Sequence, residues 1–291
     1  MDIIPLTEHV DTLGEGPTWD EANDRLIWTD IEARALRTIR PDGSGFASWP
    51  MPDRVTALGL CDSGRLILAL ARSVALYDAA SGAFETIASF DFMPAQNRLN
   101  DGKVGPDGAF WVGSMDERPN RERVASLYRI TAGGHVQTVY ENEVHVSNGL
   151  AWTPDGGTMF WTNTRGPWID RFDFDAATGT LANRSRIATL DDVIGRPDGG
   201  ACDMLGRYWS AGVSAGTLNC FTRDGVLIGH IKVPVAGPTM PCFGGAGLNT
   251  LFLTSLSNAS PERLAGHPYN GRLLAIDVGV AGAAVSRFKG A

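Results

Sequence analysis

The chain has 291 residues, of which 43% are hydrophobic and 20% charged, and its formal net charge is −8 at pH 7. An acidic protein repels the phosphates of nucleic acids and anionic lipids, so we expect neither a nucleic acid nor a membrane as a partner. The first ten residues lack a basic segment followed by an apolar run, and the four cysteines are widely spaced. These features predict a cytoplasmic protein with buried free thiols.

The same short pattern returns six times along the chain. In most copies an aspartate precedes a glycine-containing turn, and an apolar run that often contains Trp follows. The copies begin at Asp20, Asp62, Asp107, Asp155, Asp203 and, in degenerate form, Gly245. A period of about 40–50 residues built from turns and strands is typical of a β-propeller with one four-stranded blade per copy. We therefore predict an all-β fold, a six-bladed β-propeller that forms a single domain over residues 1–291.

A second series of glycine-containing turns lies between the copies, at residues 41–43, 80–82, 132–134, 177–179 and 223–225. Each follows a short run of β-type residues, which indicates hairpins. Residues 3–10 are expected to form the outer strand of the last blade, beside residues 273–277 and 284–288. Such a pairing would close the ring and remove exposed sheet edges. Residues 261–265 are the best helical candidate and predict one or two turns.

Polar residues stand at similar distances upstream of four copies. Glu15 and Asp198 lie five residues before the aspartate of their copies, and Asn100 and Asn148 lie seven residues before theirs. The inner strand of each blade begins near the central channel, so we expect these four side chains to converge there. Asn-Gly and Asp-Gly are also common hairpin turns, and each residue taken alone could be a turn residue. Because all four lie at similar distances from the repeat, we favour a shared binding site at the central channel.

Two carboxylates and two carboxamides offer only oxygen donors, which predict a hard divalent cation on the propeller axis. The sequence leaves Ca, Zn, Mn, Mg and Fe(II) open. A bound cation could polarise a carbonyl group, and a neighbouring carboxylate could act as general acid or base. The equivalent places in copies two and six, near Thr56 and Thr239, carry no carboxylate.

Four segments resemble, in order and spacing, the motifs of the regucalcin/gluconolactonase family, which also includes luciferin-regenerating enzymes. They are residues 14–17 with Trp19, 97–103, 147–150, and 197–199 with Asp203. The resemblance implies a six-bladed propeller that binds one divalent cation and hydrolyses a sugar lactone to the aldonic acid in carbohydrate catabolism. It also implies that Glu15, Asn148 and Asp198 bind the metal and that Asp198 transfers protons.

The same resemblance implies contacts to the substrate. Arg98 and Asn100 match positions that contact sugar hydroxyls. Glu117 is the best candidate for an acidic substrate contact, although Asp116 and Arg118 beside it blur the match.

Two other functions stay open at this point. The same scaffold can host a metal-dependent esterase or phosphotriesterase, or it can bind calcium without catalysis. A serine esterase is disfavoured because the chain lacks a Gly-x-Ser-x-Gly motif. The sequence does not indicate the sugar, its ring size, the physiological metal or the oligomeric state.

Overall fold

The computed structural model describes residues 2–290, so the ends of the predicted domain, Met1 and Ala291, lie outside the described residues. Six sheets follow one another around a central axis, and the innermost strands of neighbouring sheets contact each other in a closed ring. The predicted six-bladed β-propeller is therefore confirmed.

Each blade has four antiparallel strands, the first of them nearest the axis, and blade II gains a short fifth strand from the C-terminal segment. Blade I contains Gly14–Asp20, Arg25–Asp30, Ala35–Ile39 and Ala47–Pro50. Blade II contains Ala57–Cys61, Leu66–Ala69, Ser73–Tyr77 and Phe84–Ser89. Blade III contains Asn97–Val104, Phe110–Asp116, Ala125–Ile130 and Val136–Val144.

The second half of the ring repeats this order. Blade IV contains Ser147–Trp152, Thr158–Asn163, Trp168–Asp175 and Thr180–Thr189. Blade V contains Pro197–Cys202, Tyr208–Gly212, Thr217–Phe221 and Leu227–Lys232. Blade VI contains Pro238–Gly244, Thr250–Ser255, Leu274–Ile276 and the N-terminal strand Ile3–Pro5.

Helical structure is confined to short segments. Three 3₁₀ turns occupy Glu21–Asn23, Ala132–Gly134 and Ala246–Leu248. One α-helical turn, Pro261–Leu264, begins where the Ser260 hydroxyl accepts a hydrogen bond from the Arg263 N–H. This turn matches the predicted helix. Within residues 2–290, none of the helices has the length and apolar character needed to cross a bilayer.

The N-terminal strand closes the ring as predicted, but it is shorter than the expected residues 3–10. Ile3 pairs with Ile276, and Pro5 pairs with Leu274. The last blade is thus built from both ends of the chain, which ties those ends together and closes the ring.

The prediction that residues 284–288 join the last blade is wrong. Arg287–Phe288 instead pairs in parallel with Leu60 and Cys61, beside the first strand of blade II. Phe288 is 1% exposed and packs in the core between blades II and III. Burial of the Phe288 side chain, rather than an alternating pattern of apolar and polar residues, therefore decides where the segment lies.

Apolar side chains form six separate clusters, one at each contact between neighbouring blades. Between blades III and IV, Trp111 and Trp161 are fully buried. Between blades VI and I, Trp19 stacks on Phe252 with ring centroids 5.9 Å apart. Every contact between neighbouring blades therefore has its own apolar core. All four cysteines are buried and free, as predicted.

The aspartates of the repeat stabilise the turn between the first and second strands. In blade V, the Asp203 carboxylate accepts the Trp209 Nε1–H at 2.8 Å and the Leu205 and Arg207 N–H groups. In blade III, Asp107 likewise accepts the Trp111 Nε1–H at 3.2 Å. Strand direction puts these turns at the end of the propeller opposite the start of the first strands.

We expect Phe288→Ala to lower the free energy of unfolding by about 3–5 kcal/mol, because it removes a fully buried ring and leaves a cavity between two blades. Urea denaturation of purified variants would measure the change. Leu205→Ala is the control, since Leu205 is 71% exposed and should cost little. Equal losses in the two variants would contradict a stabilising role for the C-terminal strand.

Candidate active site

An open cavity of about 240 Å³ lies where the first strands begin, at the end of the propeller away from the aspartate turns. A volume of this order suits a small ligand. Its polar lining comes mainly from blades I, III, IV and V and includes Glu15, Arg98, Asn100, Asn148, Thr164 and Asp198. The four side chains that share a phase in the sequence thus meet at one place.

Irregular pairing turns these side chains toward the axis. The register between first and second strands is interrupted after Glu15, after Leu99, after Asn148 and after Pro197, whereas the first strand of blade II pairs regularly. An interrupted register bends a strand and re-aims its side chains. In these four blades the bulges therefore put a polar side chain into the cavity. Blade VI also has a bulge, between Pro238 and Pro241, but that strand is not among the described residues that line the cavity.

Glycine is required beside two of these residues. Gly16 and Gly149 have φ values of 58° and 69°, in the left-handed region that other residues rarely occupy. A Cβ atom on Gly149 would also collide with the hydroxyl groups of Tyr208 and Thr162. The Glu-Gly and Asn-Gly pairs are thus parts of bulges rather than hairpin turns.

A continuous chain of hydrogen bonds crosses the floor of the cavity. Arg98 Nη1 donates to Asn100 Oδ1 at 2.6 Å, and Asn100 Nδ2 donates to Asn148 Oδ1 at 2.8 Å. Asn148 Nδ2 then donates to Asp198 Oδ1 at 2.7 Å and to Thr164 Oγ1 at 2.7 Å. Each member fixes the orientation of the next, which is the preorganisation that a binding site requires.

Three carboxyl groups concentrate negative charge at this floor. Burial raises the pKa of Asp198 to about 8, and the Asp101 carboxylate adds to the shift. Burial likewise raises the pKa of Glu15 well above its ordinary value, with further contributions from Asp198 and Asp101. Within residues 2–290, neither Glu15 nor Asp198 has a Lys, Arg or His nitrogen within 4 Å. Neither carboxyl group therefore forms an ion pair, although Arg98 attracts both from a greater distance and Arg121 and Arg263 also attract Asp198.

This donor set fits a hard divalent cation. Glu15 accepts only the Gly16 N–H, at 3.2 Å, which leaves carboxylate oxygens available, and Asp198 offers a second carboxylate beside the Asn148 amide. Carboxylate oxygens are what calcium, magnesium or manganese prefer. Asn148 turns its Nδ2 toward Asp198 while its Oδ1 accepts from Asn100, so its amide would have to turn over to offer an oxygen to the cation. Residues 2–290 hold no cluster of three or more His, Cys, Asp or Glu side chains arranged for a metal. A cation here would depend on amide oxygens as well as on the two carboxylates.

Two adjacent acidic residues at the end of the second strand of blade III have different partners. Asp116 is buried, and its hydrogen bonds to Arg118 lower its pKa to about 2; it also accepts the Glu122 N–H. Glu117, whose side chain is 39% exposed, lies 3.3 Å from Arg98 Nε and accepts two hydrogen bonds from Arg54. Asp116 therefore organises the loop, and Glu117 is the acidic neighbour of Arg98.

Four further charged residues at the site received no role from the sequence. Arg121, Arg165 and Arg196 line the cavity, and buried Asp101 lies beside its floor. Asp101 directly follows Asn100. Its position six residues before Asp107 could therefore have marked it as a candidate site residue. The arginines lie on loops, where side-chain direction does not follow the strand period.

A second, smaller cavity of about 70 Å³ lies lower in the channel near residues of the first strands. Cys202, Cys242 and Lys103 line it together with residues 283–286 of the C-terminal segment. Burial raises the pKa of Cys202 above its ordinary value, and Lys103 Nζ donates to the Gly200 carbonyl at 2.7 Å. None of the described residues that line this cavity carries a carboxyl group.

Two named lactonases align with nearly the whole chain. A 6-deoxy-6-sulfogluconolactonase from Pseudomonas putida is 35% identical over 281 residues, which cover 96% of this chain and 95% of that protein. An L-arabinolactonase from Azospirillum brasilense is 33% identical over 288 residues, which cover 98% and 95%.

Solved structures show the same architecture. Regucalcin from Agrobacterium tumefaciens, described as a calcium-binding protein, superimposes with a TM-score of 0.91 at 26% identity and covers 98% of this chain and 96% of its own. A luciferin-regenerating enzyme gives a TM-score of 0.90 at 26% identity, with 99% of each chain covered. The family model described as SMP-30/Gluconolactonase/LRE-like region matches residues 13–257. Sequence, fold and motif order agree over most of the chain, which therefore belongs to the SMP-30/gluconolactonase/LRE-like family.

Proposed function

We propose that the protein hydrolyses a sugar lactone to the aldonic acid with the help of one divalent cation. The observation that carries this proposal is one open cavity in which Glu15 and Asp198 lie outside any ion pair and Asp198 is joined through Asn148 and Asn100 to Arg98. Such a cavity combines a place for a cation, a carboxylate that can transfer protons and donors for hydroxyl groups.

Glu15, Asn148 and Asp198 would hold the cation, which would polarise the lactone carbonyl and lower the pKa of a water molecule when bound. Asp198 accepts a proton from the attacking water as the water oxygen bonds to the carbonyl carbon. The bond between that carbon and the ring oxygen then breaks, and Asp198 returns the proton to the ring oxygen.

Arg98 and Asn100 orient the substrate in this proposal. Burial lowers the pKa of Arg98 to about 10, so the guanidinium stays charged at neutral pH and can donate to adjacent hydroxyl groups. Glu117 lies against Arg98 and either accepts from a hydroxyl group or holds Arg98 in place.

The names of the relatives support lactone hydrolysis and leave the sugar open. One is named for a sulfo-substituted gluconolactone and another for L-arabinolactone. The calcium-binding description of the Agrobacterium regucalcin supports a divalent cation without deciding which one. The cytoplasm remains the predicted compartment, and nucleic acid remains an unexpected partner.

A panel of aldonolactones, assayed by pH indicator, tests the proposal. Protein stripped of metal would be resupplied with calcium, magnesium, manganese, zinc or ferrous iron in turn. We expect metal-dependent hydrolysis far above spontaneous ring opening. Absence of hydrolysis with every metal would overturn the proposal.

The two alternatives give different results in the same experiment. Calcium binding measured by calorimetry, without turnover of any lactone, would support a binding protein. Faster hydrolysis of simple esters or phosphotriesters than of lactones would support the other hydrolase.

A further inference from the structure

The cavity carries positive charge that the proposed chemistry does not use. Most arginines in residues 2–290 contact a carboxylate, as Arg37 contacts Asp11 and Arg129 contacts Asp107. The cavity arginines Arg121, Arg165 and Arg196 are exceptions, because no carboxylate oxygen of the described residues lies within 4 Å of their guanidinium groups. Positive charge thus gathers in one place on a protein whose net charge is −8.

Loops of three successive blades bring these arginines to the cavity. Arg121 follows the second strand of blade III, Arg165 follows the second strand of blade IV, and Arg196 directly precedes the first strand of blade V. Arg121 has a φ of 43°, an unusual value for a side chain of its size, and its Nη1 donates to the Asp116 carbonyl at 3.3 Å. The backbone therefore holds Arg121 in place even though no acidic partner does.

The arginines also repel one another. Burial lowers the pKa of Arg121, and the Arg165 charge lowers it further. Arg263 lies beside the same group: burial lowers its pKa, and the Arg196 charge adds to the shift. Asp116, Glu117 and Asp198 attract Arg121, and Asp198 attracts Arg263, but only from more than 4 Å away. Like charges that gather without an ion pair cost free energy, which an anionic ligand would offset.

The other charged side chains at the site have an opposite charge beside them or would gain one from the cation. Glu117 contacts both Arg54 and Arg98, and a divalent cation would balance Glu15 and Asp198. A neutral sugar would leave the three cavity arginines without a partner. Guanidinium groups bind sulfonate, phosphate and carboxylate groups through paired, charge-assisted hydrogen bonds.

We infer that the substrate is a sugar lactone that bears a second, negatively charged group, and that Arg121, Arg165 and Arg196 bind this group. The inference rests on the proposed lactone hydrolysis. It adds the substrate class, an anionic lactone carrying a sulfonate, phosphate or carboxylate remote from the lactone carbonyl.

Four gluconolactones that differ only at carbon 6 would test it: the hydroxyl, sulfonate, phosphate and carboxylate forms. We expect kcat/KM for at least one charged form to exceed that of the neutral form by about tenfold or more, chiefly through a lower KM, and to fall as salt is added. The preferred group identifies the anion. Equal kcat/KM for all four forms would overturn the inference while leaving lactone hydrolysis in place.

Variants locate the contact. Arg165→Gln and Arg196→Gln should each lower the ratio of kcat/KM for the charged form to that for the neutral form by about tenfold. Arg40→Gln is the matched control, because Arg40 is exposed in a turn at the opposite end of the propeller and has no carboxylate partner among residues 2–290. An unchanged ratio in both cavity variants would overturn the assignment of these arginines.

Binding without turnover separates this inference from the proposed function. Calorimetry would compare gluconate with its 6-sulfo and 6-phospho forms. Tighter binding of a charged form, weakened by Arg196→Gln, supports the inference even if no lactone is hydrolysed. Equal binding of all three compounds would overturn the inference. It would mean that the arginines contact at most the carboxylate that all three compounds share, and not a group on carbon 6.

Discussion

Asp198→Asn should reduce kcat for lactone hydrolysis by about 10²–10⁴-fold with the propeller intact. An amide cannot accept the proton of the attacking water, and it removes one of two negative charges from the proposed cation site. The shape of the side chain is kept, so circular dichroism should match that of the parent protein. Steady-state kinetics at saturating metal would measure the loss.

Asp155→Asn is the control for this experiment. Asp155 belongs to the same repeat but lies in an exposed turn at the opposite end of the propeller, where its carboxylate bonds to Thr153 and Gly157. The control should keep its turnover. Near-normal kcat in the Asp198 variant would remove that residue from the mechanism.

The stability of the metal-free protein should fall as the pH rises from about 4 to about 8. Burial holds the pKa of Asp198 near 8 in the folded protein, against 3.8 when it is exposed. The folded state therefore binds more protons than the unfolded state in this range, so each rise in pH favours unfolding. One pKa unit corresponds to about 1.4 kcal/mol, and Glu15 shifts in the same direction. We expect a loss on the order of a few kcal/mol, or roughly 5–10 °C in Tm.

Calorimetric melting of metal-free protein across this range would measure the loss. A divalent cation that binds Glu15 and Asp198 should raise Tm most at pH 8, where the two carboxylates would otherwise repel each other. Asp198→Asn should raise Tm of the metal-free protein at pH 8 and flatten the pH dependence. A variant less stable than the parent at that pH would show that the carboxylate is compensated by another group.

The repeat predicts the propeller because each copy carries the residues of one turn. Asp107 and Asp203 accept hydrogen bonds from the tryptophans that follow them, so one local structure recurs once per blade. Segments outside the repeat are predicted less well. Arg287–Phe288 is a two-residue strand with no period of its own, and only the buried place available to Phe288 decides its partner.

The position of the cavity follows from the same repeat. Glu15, Asn148 and Asp198 lie on first strands at similar distances from the turns, and their bulges bring them together. The chemical roles given to them remain predictions. Arg121 and Arg196 could not be placed in advance, because their directions depend on loop conformations set by contacts distant in sequence, such as the Asp116 carbonyl beside Arg121.

The pairing of Ile3 with Ile276 has a consequence for how the protein is made. The four antiparallel strands of each of the other five blades lie close together in sequence, so each blade can begin to pair while the ribosome is still adding the rest. Only the short strand Arg287–Phe288 joins blade II later. The last blade needs both ends of the chain, and the entropy of closing so long a loop must be met before its pairs contribute. The N-terminal strand therefore waits, unpaired, until nearly all of the polypeptide has emerged.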